Sequence, residues 1–400
     1  MSKPFCKIGG GNYQFTSLII FSLVFFDILS VYLGYRLSIV PRLLLIFSCL
    51  VGVLSLGIKV SDLKVICCLL AVVIIQQCAS YMILPNMPVT AVIENFGIII
   101  KIFSFPVVLL WIEKLNTKQL LSLKKIIYFS IIVYCISIVI SPLLGWSSLH
   151  TYGETGRFGY KGIINAGNET AMVLLIACFW TGANYLQEKS FFSLLTFFLM
   201  ILASLMLGTK GGMLIAITSL LGVFVVNFNK VKLYHKIFLG ILIFSLTLYL
   251  ARWFWDVLYP MLEVSYHYFT SKLTSTSFYG YFNLLISGRD TKLISIISQL
   301  EIANYLHLLL GGWPVSLFMV EMDYFDVILL FGLPLGSLIF YFYFYLVFSR
   351  LPKTAMHSLF IVIMVIITFL AGHVVLSMLH APLLAAYIVL SNNRENRLLY

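Results

Sequence analysis

Charge is the scarcest property of this chain. Only 10% of its 400 residues are Asp, Glu, Lys or Arg, where an ordinary soluble protein carries about a quarter. Hydrophobic residues make up 61%, more than a core surrounded by water can hide, so water is not the main solvent. The few charges are also unbalanced, 15 acidic against 26 basic, for a net +11. The seven cysteines, Cys6, Cys49, Cys67, Cys68, Cys78, Cys135 and Cys178, fall almost entirely within apolar runs and imply no disulfide framework. No metal-ligand spacing appears among the Cys, His, Asp and Glu residues, so neither a metal nor another cofactor is expected. Short alternating segments of the kind that build a β-barrel are missing as well.

What is present is a series of apolar runs of about 20 residues, each long enough to cross a hydrocarbon layer about 30 Å thick. Lipid offers no hydrogen-bond partners to a bare backbone, so such runs must be helices. The expected architecture is an all-α polytopic membrane protein, a single integral-membrane domain over residues 1–400. Its spans lie near 15–33, 39–58, 62–83, 94–113, 121–141, 169–187, 191–208, 212–228, 235–252, 324–348, 356–372 and 374–391. The last two are divided at Gly372-His373, so twelve spans are expected and eleven are possible if the final pair is one broken helix. Phe15 to Leu33 has no small-residue cleavage site and reads as a retained first span rather than a signal peptide. With the N-terminus inside, 16 of the 26 Lys and Arg fall on cytoplasmic segments. That distribution explains the basic balance by topology rather than by nucleic acid, and it places the C-terminus inside too.

Two connections are long, 142–168 and 253–323, and both fall on the outer, periplasmic side. Long loops in compact proteins are usually functional or disordered. The second, carrying Trp253, Trp255, Tyr259, Tyr266, Tyr268, Tyr279 and Trp313, is too aromatic to be a linker. Its rings suit either an interfacial belt or stacking platforms for sugars. Within it, about 288–310 reads as an amphipathic helix, with Leu293, Ile296, Ile297 and Leu300 on one stripe and Ser287-Gly288-Arg289-Asp290 as a capping sequence. A cation in the first turn opposes the helix dipole. Either Asp290 neutralises Arg289 locally, or an anion such as a diphosphate binds there with the free N–H groups.

The first long loop holds Tyr152 to Gly162, with Arg157 and Lys161 among four glycines, then Asn165 and Asn168 as the next span begins. No strand precedes it and no Gly-Lys-Ser or Gly-Lys-Thr follows, so it is not a P-loop. The outer turn Gly208-Thr209-Lys210-Gly211-Gly212 adds Lys210, which serves equally as a snorkelling end residue. Glu321 and Asp323, beside Tyr324, stand at the outer mouth of the tenth span, either solvated or paired to orient hydroxyls and accept a proton. Asp27 and Lys101 fall inside spans, where a charge is costly, and suit a bundle-interior role. His373 and His380 near the end face the same side or serve structure.

Taken in order, Arg157 to Thr170, the Gly208-Thr209-Lys210-Gly211 turn, Ser287 to Asp290, Glu321-Met322-Asp323-Tyr324 leading to Phe331-Gly332, and Gly372-His373 resemble the O-antigen polymerases (Wzy). More distantly they resemble the O-antigen ligases. The resemblance implies an enzyme of the bacterial inner membrane, a metal-independent glycosyltransferase that joins undecaprenyl-diphosphate-linked oligosaccharide repeat units at the periplasmic face. Its partners would be lipid-linked donor and acceptor, membrane lipid and a polysaccharide chain-length regulator. Arg157 and Arg289 would grip the diphosphate, Glu321 or Asp323 would act on the acceptor, and Lys161, Asn168, Lys210, Tyr324 and His373 would line the substrate site. Ligases carry a His-x-His-Asn sequence where this chain has Val320 to Asp323, which favours polymerase over ligase. The competing class is a lipid-linked oligosaccharide flippase, which would show repeat symmetry and interrupted helices about a midplane site, whereas the charges of interest here collect in asymmetric outer loops.

Overall fold

The computed structural model describes residues 10–34, 37–55, 60–83, 89–152, 157–227, 252, 259, 263–268, 270, 289–302, 306–315, 318–370, 372 and 374–392. The described residues are helical, with a single antiparallel bridge between His150 and Tyr160 as their extended pairing. In chain order the helices are α1 (Gly10–Leu33), α2 (Ile39–Ser55), α3 (Val60–Ile83), α4 (Val89–Ile112), α5 (Thr117–Leu144), α6 (Gly167–Glu188), α7 (Phe191–Met206) and α8 (Lys210–Asn227). They continue with α9 (Arg289–Ile302), α10 (Leu306–Leu310), α11 (Asp323–Phe331), α12 (Leu333–Arg350), α13 (Ala355–Leu370) and α14 (His380–Asn392). Among the described residues α1, α4, α5, α6 and α12 are long and apolar enough to cross a membrane, and α2, α7, α8, α13 and part of α3 are shorter apolar helices. The protein is a helical membrane protein. Nearly all of the expected ninth span, and residues 253–258, 260–262, 269, 271–288, 303–305 and 316–317 of the second long loop, lie outside the described residues.

Polarity along α1 runs opposite to that of a helix in water. Thr16, Ser17 and Asp27 are buried, while Phe15, Leu18, Phe21 and Phe25 point outward. Apolar side chains lose nothing by facing lipid, whereas polar ones must find partners inside the bundle. Thr16 Oγ1 and Ser48 Oγ share a hydrogen bond of 2.5 Å between α1 and α2. Asn12 donates to the Ser48 carbonyl and accepts from Trp111 Nε1 on α4 at 3.0 Å. A Cβ on Gly52 would enter this cluster at 2.7 Å from the Trp111 ring, so only glycine lets α1, α2 and α4 meet here.

The chain forms two compact units. Unit 1 is Met1–Ile131, Leu285–Pro352 and Met364–Leu399, and unit 2 is Ile132–Leu284 with Lys353–Ile363. In unit 1, α14 packs on α4 and α12 and is buried from His380 to Tyr387. In unit 2, α6, α7 and α8 pack together. There Gly182 and Gly222 leave room for Met356, whose Cε and Sδ would each stand 2.8 Å from an added Cβ.

Two spans expected from hydropathy are interrupted. The run 324–348 is two helices, α11 and α12, broken at Gly332, whose φ is +82°. Nine residues of α11 rise only about 13 Å before the break. The carbonyls that α11 leaves open are met by Gly312 N–H, which donates to Leu330 O at 2.9 Å, and by Trp313 N–H, which donates to Leu329 O at 3.2 Å. Irregular backbone survives at membrane depth only where protein supplies such partners. The run 374–391 is likewise irregular to Leu379 and helical only from His380. Hydropathy was blind to both breaks because the residues around them remain apolar. Over 288–310, where one amphipathic helix is expected, the described residues form two helices, α9 and α10, with Ile296 buried but Ile297 exposed, and 303–305 lie outside the described residues.

The intramembrane Asp27 has a partner that hydropathy did not single out. Arg42 Nη2 on α2 lies 2.8 Å from its Oδ1, with both side chains under a tenth exposed. Replacing Asp27→Asn strands the Arg42 charge and is expected to cost about 3–5 kcal/mol, read as a lower melting temperature of the detergent-purified chain. The apolar double variant Asp27→Leu with Arg42→Met recovers most of that loss.

Candidate functional site

In unit 1 the start of α11 organises the charges. The chain reaches it through Glu321, which adopts φ +66°, a left-handed backbone that costs an ordinary side chain about 1 kcal/mol. Gly372 lies directly against that backbone. A Cβ there would come within 2.7–2.9 Å of the Glu321 carbonyl carbon, oxygen and Cα, so any larger residue would push the turn away. Next along the chain, Asp323 is fully buried, and its Oδ2 accepts the N–H groups of both Val374 and Val375 at 2.6 Å. Asp326, one turn later, reaches back to accept Val320 N–H at 2.8 Å. Carboxylates therefore supply the acceptors that the irregular segments before α11 and before α14 lack.

Above this turn sits α9. Arg289 opens the helix as expected, and its Nη1 donates to the Leu370 carbonyl at 2.6 Å, placing a cation on the electronegative end of α13. Its Nε lies 3.8 Å from Glu321 Oε2. Lys292, three residues along and on the same face, brings Nζ to 2.6 Å from Glu321 Oε1. Arg289, Glu321, Asp323 and Gly372, distant in sequence, are thus assembled in one place. Lys292 was missed in the sequence, although its spacing from Arg289 was the available signal. His373 and the capping Ser287 lie outside the described residues. Tyr324 is engaged in an aromatic cluster, 5.0 Å from the Phe369 ring centroid and 5.3 Å from that of Phe340.

In unit 2 the described residues of the first long loop pair with each other on the two sides of 153–156, which lie outside the described residues. Thr151 N–H donates to Gly159 O and Lys161 N–H to Leu149 O, both at 2.9 Å. These paired residues dock on the end of α7, where Tyr160 N–H donates to Met206 O at 2.8 Å and Thr151 Oγ1 to Leu207 O at 3.0 Å. Gly208 has φ +68°, and an added Cβ would lie 2.5 Å from the Cα of Gly159, so the turn carrying Lys210 and the loop carrying Arg157 touch backbone to backbone. The Arg157 guanidinium lies between two rings, its Cζ 3.8 Å from the centroids of both Tyr152 and Tyr268. Phe158 N–H donates to Ser265 Oγ at 3.0 Å, so residues 263–268 of the second long loop join the first. Lys161 Nζ donates to Asn165 O at 2.7 Å, and partial burial lowers its pKa. Asn168 stands in the first turn of α6, beside Glu169.

Compared with known proteins, the chain matches no protein-family model, no curated protein and no solved structure. The residues themselves carry the functional argument.

Two outcomes follow for these turns. Asp323→Ala leaves two buried N–H groups without an acceptor and lowers stability by about 3 kcal/mol, whereas Asp323→Asn, which keeps one oxygen, costs less; thermal unfolding in detergent ranks them. Replacing both Tyr152 and Tyr268 with Leu removes two cation–π contacts worth about 1–2 kcal/mol together, and the loop is then cut faster by trypsin at Arg157.

Proposed function

We propose that the chain is a polymerase of lipid-linked glycan, acting at the periplasmic face of a bacterial inner membrane on undecaprenyl-diphosphate-linked repeat units. The observation that carries the reading is the cluster of Arg289, Lys292 and Glu321 around the start of α11. It combines cations suited to a diphosphate leaving group with a carboxylate suited to an acceptor hydroxyl. The reading retains twelve spans, with 142–168 and 253–323 outside and both termini cytoplasmic.

In the proposed reaction the acceptor hydroxyl oxygen bonds to the anomeric carbon of the donor glycan. The bond from that carbon to the diphosphate oxygen breaks, and its electron pair leaves with the lipid diphosphate. The hydroxyl proton passes to Glu321. The negative charge that grows on the leaving group is stabilised by the Arg289 guanidinium, held in advance by the Leu370 carbonyl, so little reorganisation is needed as the bond breaks. Asp323 acts as a positioning residue, since its carboxylate holds Val374 and Val375. Arg157 is assigned to diphosphate binding, as the resemblance implies. Lys161, Asn168 and Lys210 are assigned to the glycan and its phosphates, Tyr324 and His373 to the acceptor.

A second reading has a specific observation behind it. The break at Gly332 and the irregular stretch before α14 are features that carriers use to bind cargo within the bilayer, so a flippase for the same lipid is the alternative. Purified chain in proteoliposomes with lipid-linked repeat units separates the two. Elongated glycan on the lipid supports the polymerase; movement of the lipid between leaflets without a new bond supports the flippase. For the polymerase, Arg289→Ala is expected to slow elongation about 100-fold or more, and Arg289→Lys to recover only part. A full-length glycan ladder from normally expressed Arg289→Ala would remove the arginine from the reaction.

A further inference from the structure

We propose that Glu321 is an internal counterion, occupying a two-cation phosphate site formed by Arg289 and Lys292 until a diphosphate displaces it. The inference rests on the reading above for the class of ligand and adds a second cation and an exchange step to it.

The two cations differ in how they are held. Arg289 is anchored by the Leu370 carbonyl, and only 15% of its side chain is exposed. Its Nε is sheltered from solvent and has no hydrogen-bond acceptor among the described residues, because Glu321 Oε2 stands at ion-pair distance rather than bonding distance. Lys292 and Glu321 are open to solvent, 48% and 40% exposed. An ion pair that exposed favours the closed state by less than about tenfold. The carboxylate is therefore a weak occupant of the site. A diphosphate, with more charge and more acceptor oxygens than one carboxylate, offers the sheltered Nε and the Lys292 ammonium stronger bonds.

The backbone explains why the carboxylate returns. Glu321 is pinned in a left-handed conformation with Gly372 against it, so the point from which its side chain starts does not move. The side chain still turns about its own torsions and can leave the cations. Anion binding therefore frees the carboxylate from both positive neighbours, and emptying the site lets it return.

The test uses the full chain purified in detergent, with inorganic pyrophosphate as the probe in titration calorimetry. Glu321→Gln and Glu321→Gly, the second suited to the left-handed backbone, are each expected to bind pyrophosphate about fivefold tighter than the unaltered chain. Lys292→Gln is expected to bind it at least about fivefold more weakly. If either Glu321 variant melts like the unaltered chain yet binds pyrophosphate no tighter, the counterion role is wrong. Unchanged affinity in Lys292→Gln overturns the two-cation site. Farnesyl diphosphate in the same micelles separates the sources of the anion: tighter binding than pyrophosphate, with the same gain in the Glu321 variants, supports exchange by a lipid headgroup, and equal binding supports exchange by the bare anion. Elongation by the unaltered chain keeps the two proposals apart. A gain in pyrophosphate binding in the Glu321 variants, with no glycan synthesis by the unaltered chain, leaves the exchange standing and removes the polymerase; synthesis by the unaltered chain without that gain does the reverse.

Discussion

The buried carboxylate of Asp323 accepts two backbone N–H groups from a stretch that is not helical, and much of unit 1 depends on that arrangement. In a membrane an unpaired backbone group has no water to turn to, so every departure from helix needs an acceptor or donor from elsewhere in the chain. Asp323 and Asp326, both in the first turn of α11, provide acceptors for the stretches before α14 and before α11, and the N–H groups of Gly312 and Trp313 provide donors for its far end. Because these partners are satisfied, the chain tolerates broken helices where hydropathy alone calls for unbroken ones. The charged cluster of α9 is carried on the same turn.

The apolar runs made the helical membrane class legible, since 20-residue spans depend on composition more than on detail. The breaks at Gly332 and at 374–379 were not, because the neighbouring residues stay apolar and the cause is a backbone partner distant in sequence. Candidate residues followed the same division. Arg289 was recognisable from its unfavourable place in a first turn, and Glu321 and Asp323 from being rare acids beside a span. That Asp323 faces inward to hold backbone while Glu321 faces cations is decided by a left-handed φ at Glu321, which no pattern of residue types announces. Lys292 and Arg42 were overlooked because a lone cation on a polar face or near a helix start looks ordinary until its partner is known.

Unit 2 shows a different way of holding charge. Arg157 is flanked by two tyrosines, one from each long loop. The rings shelter the faces of the guanidinium and leave its edge, where the N–H groups lie, as the direction in which it can bond. Tyr268 of the second long loop thus packs on a cation of the first. The paired residues of the first loop beneath them are anchored to the end of α7 by backbone hydrogen bonds.

Gly311 and Gly332 press their main chains together, and a methyl group on either would meet the other's peptide atoms. Ordinary crowding between side chains can be relieved by trimming one of them, but here neither participant has anything left to trim. Sequence drift at these two sites is therefore not a matter of compensating pairs: a descendant that gains bulk at one must rebuild the local path of the chain, and with it the approach to α11.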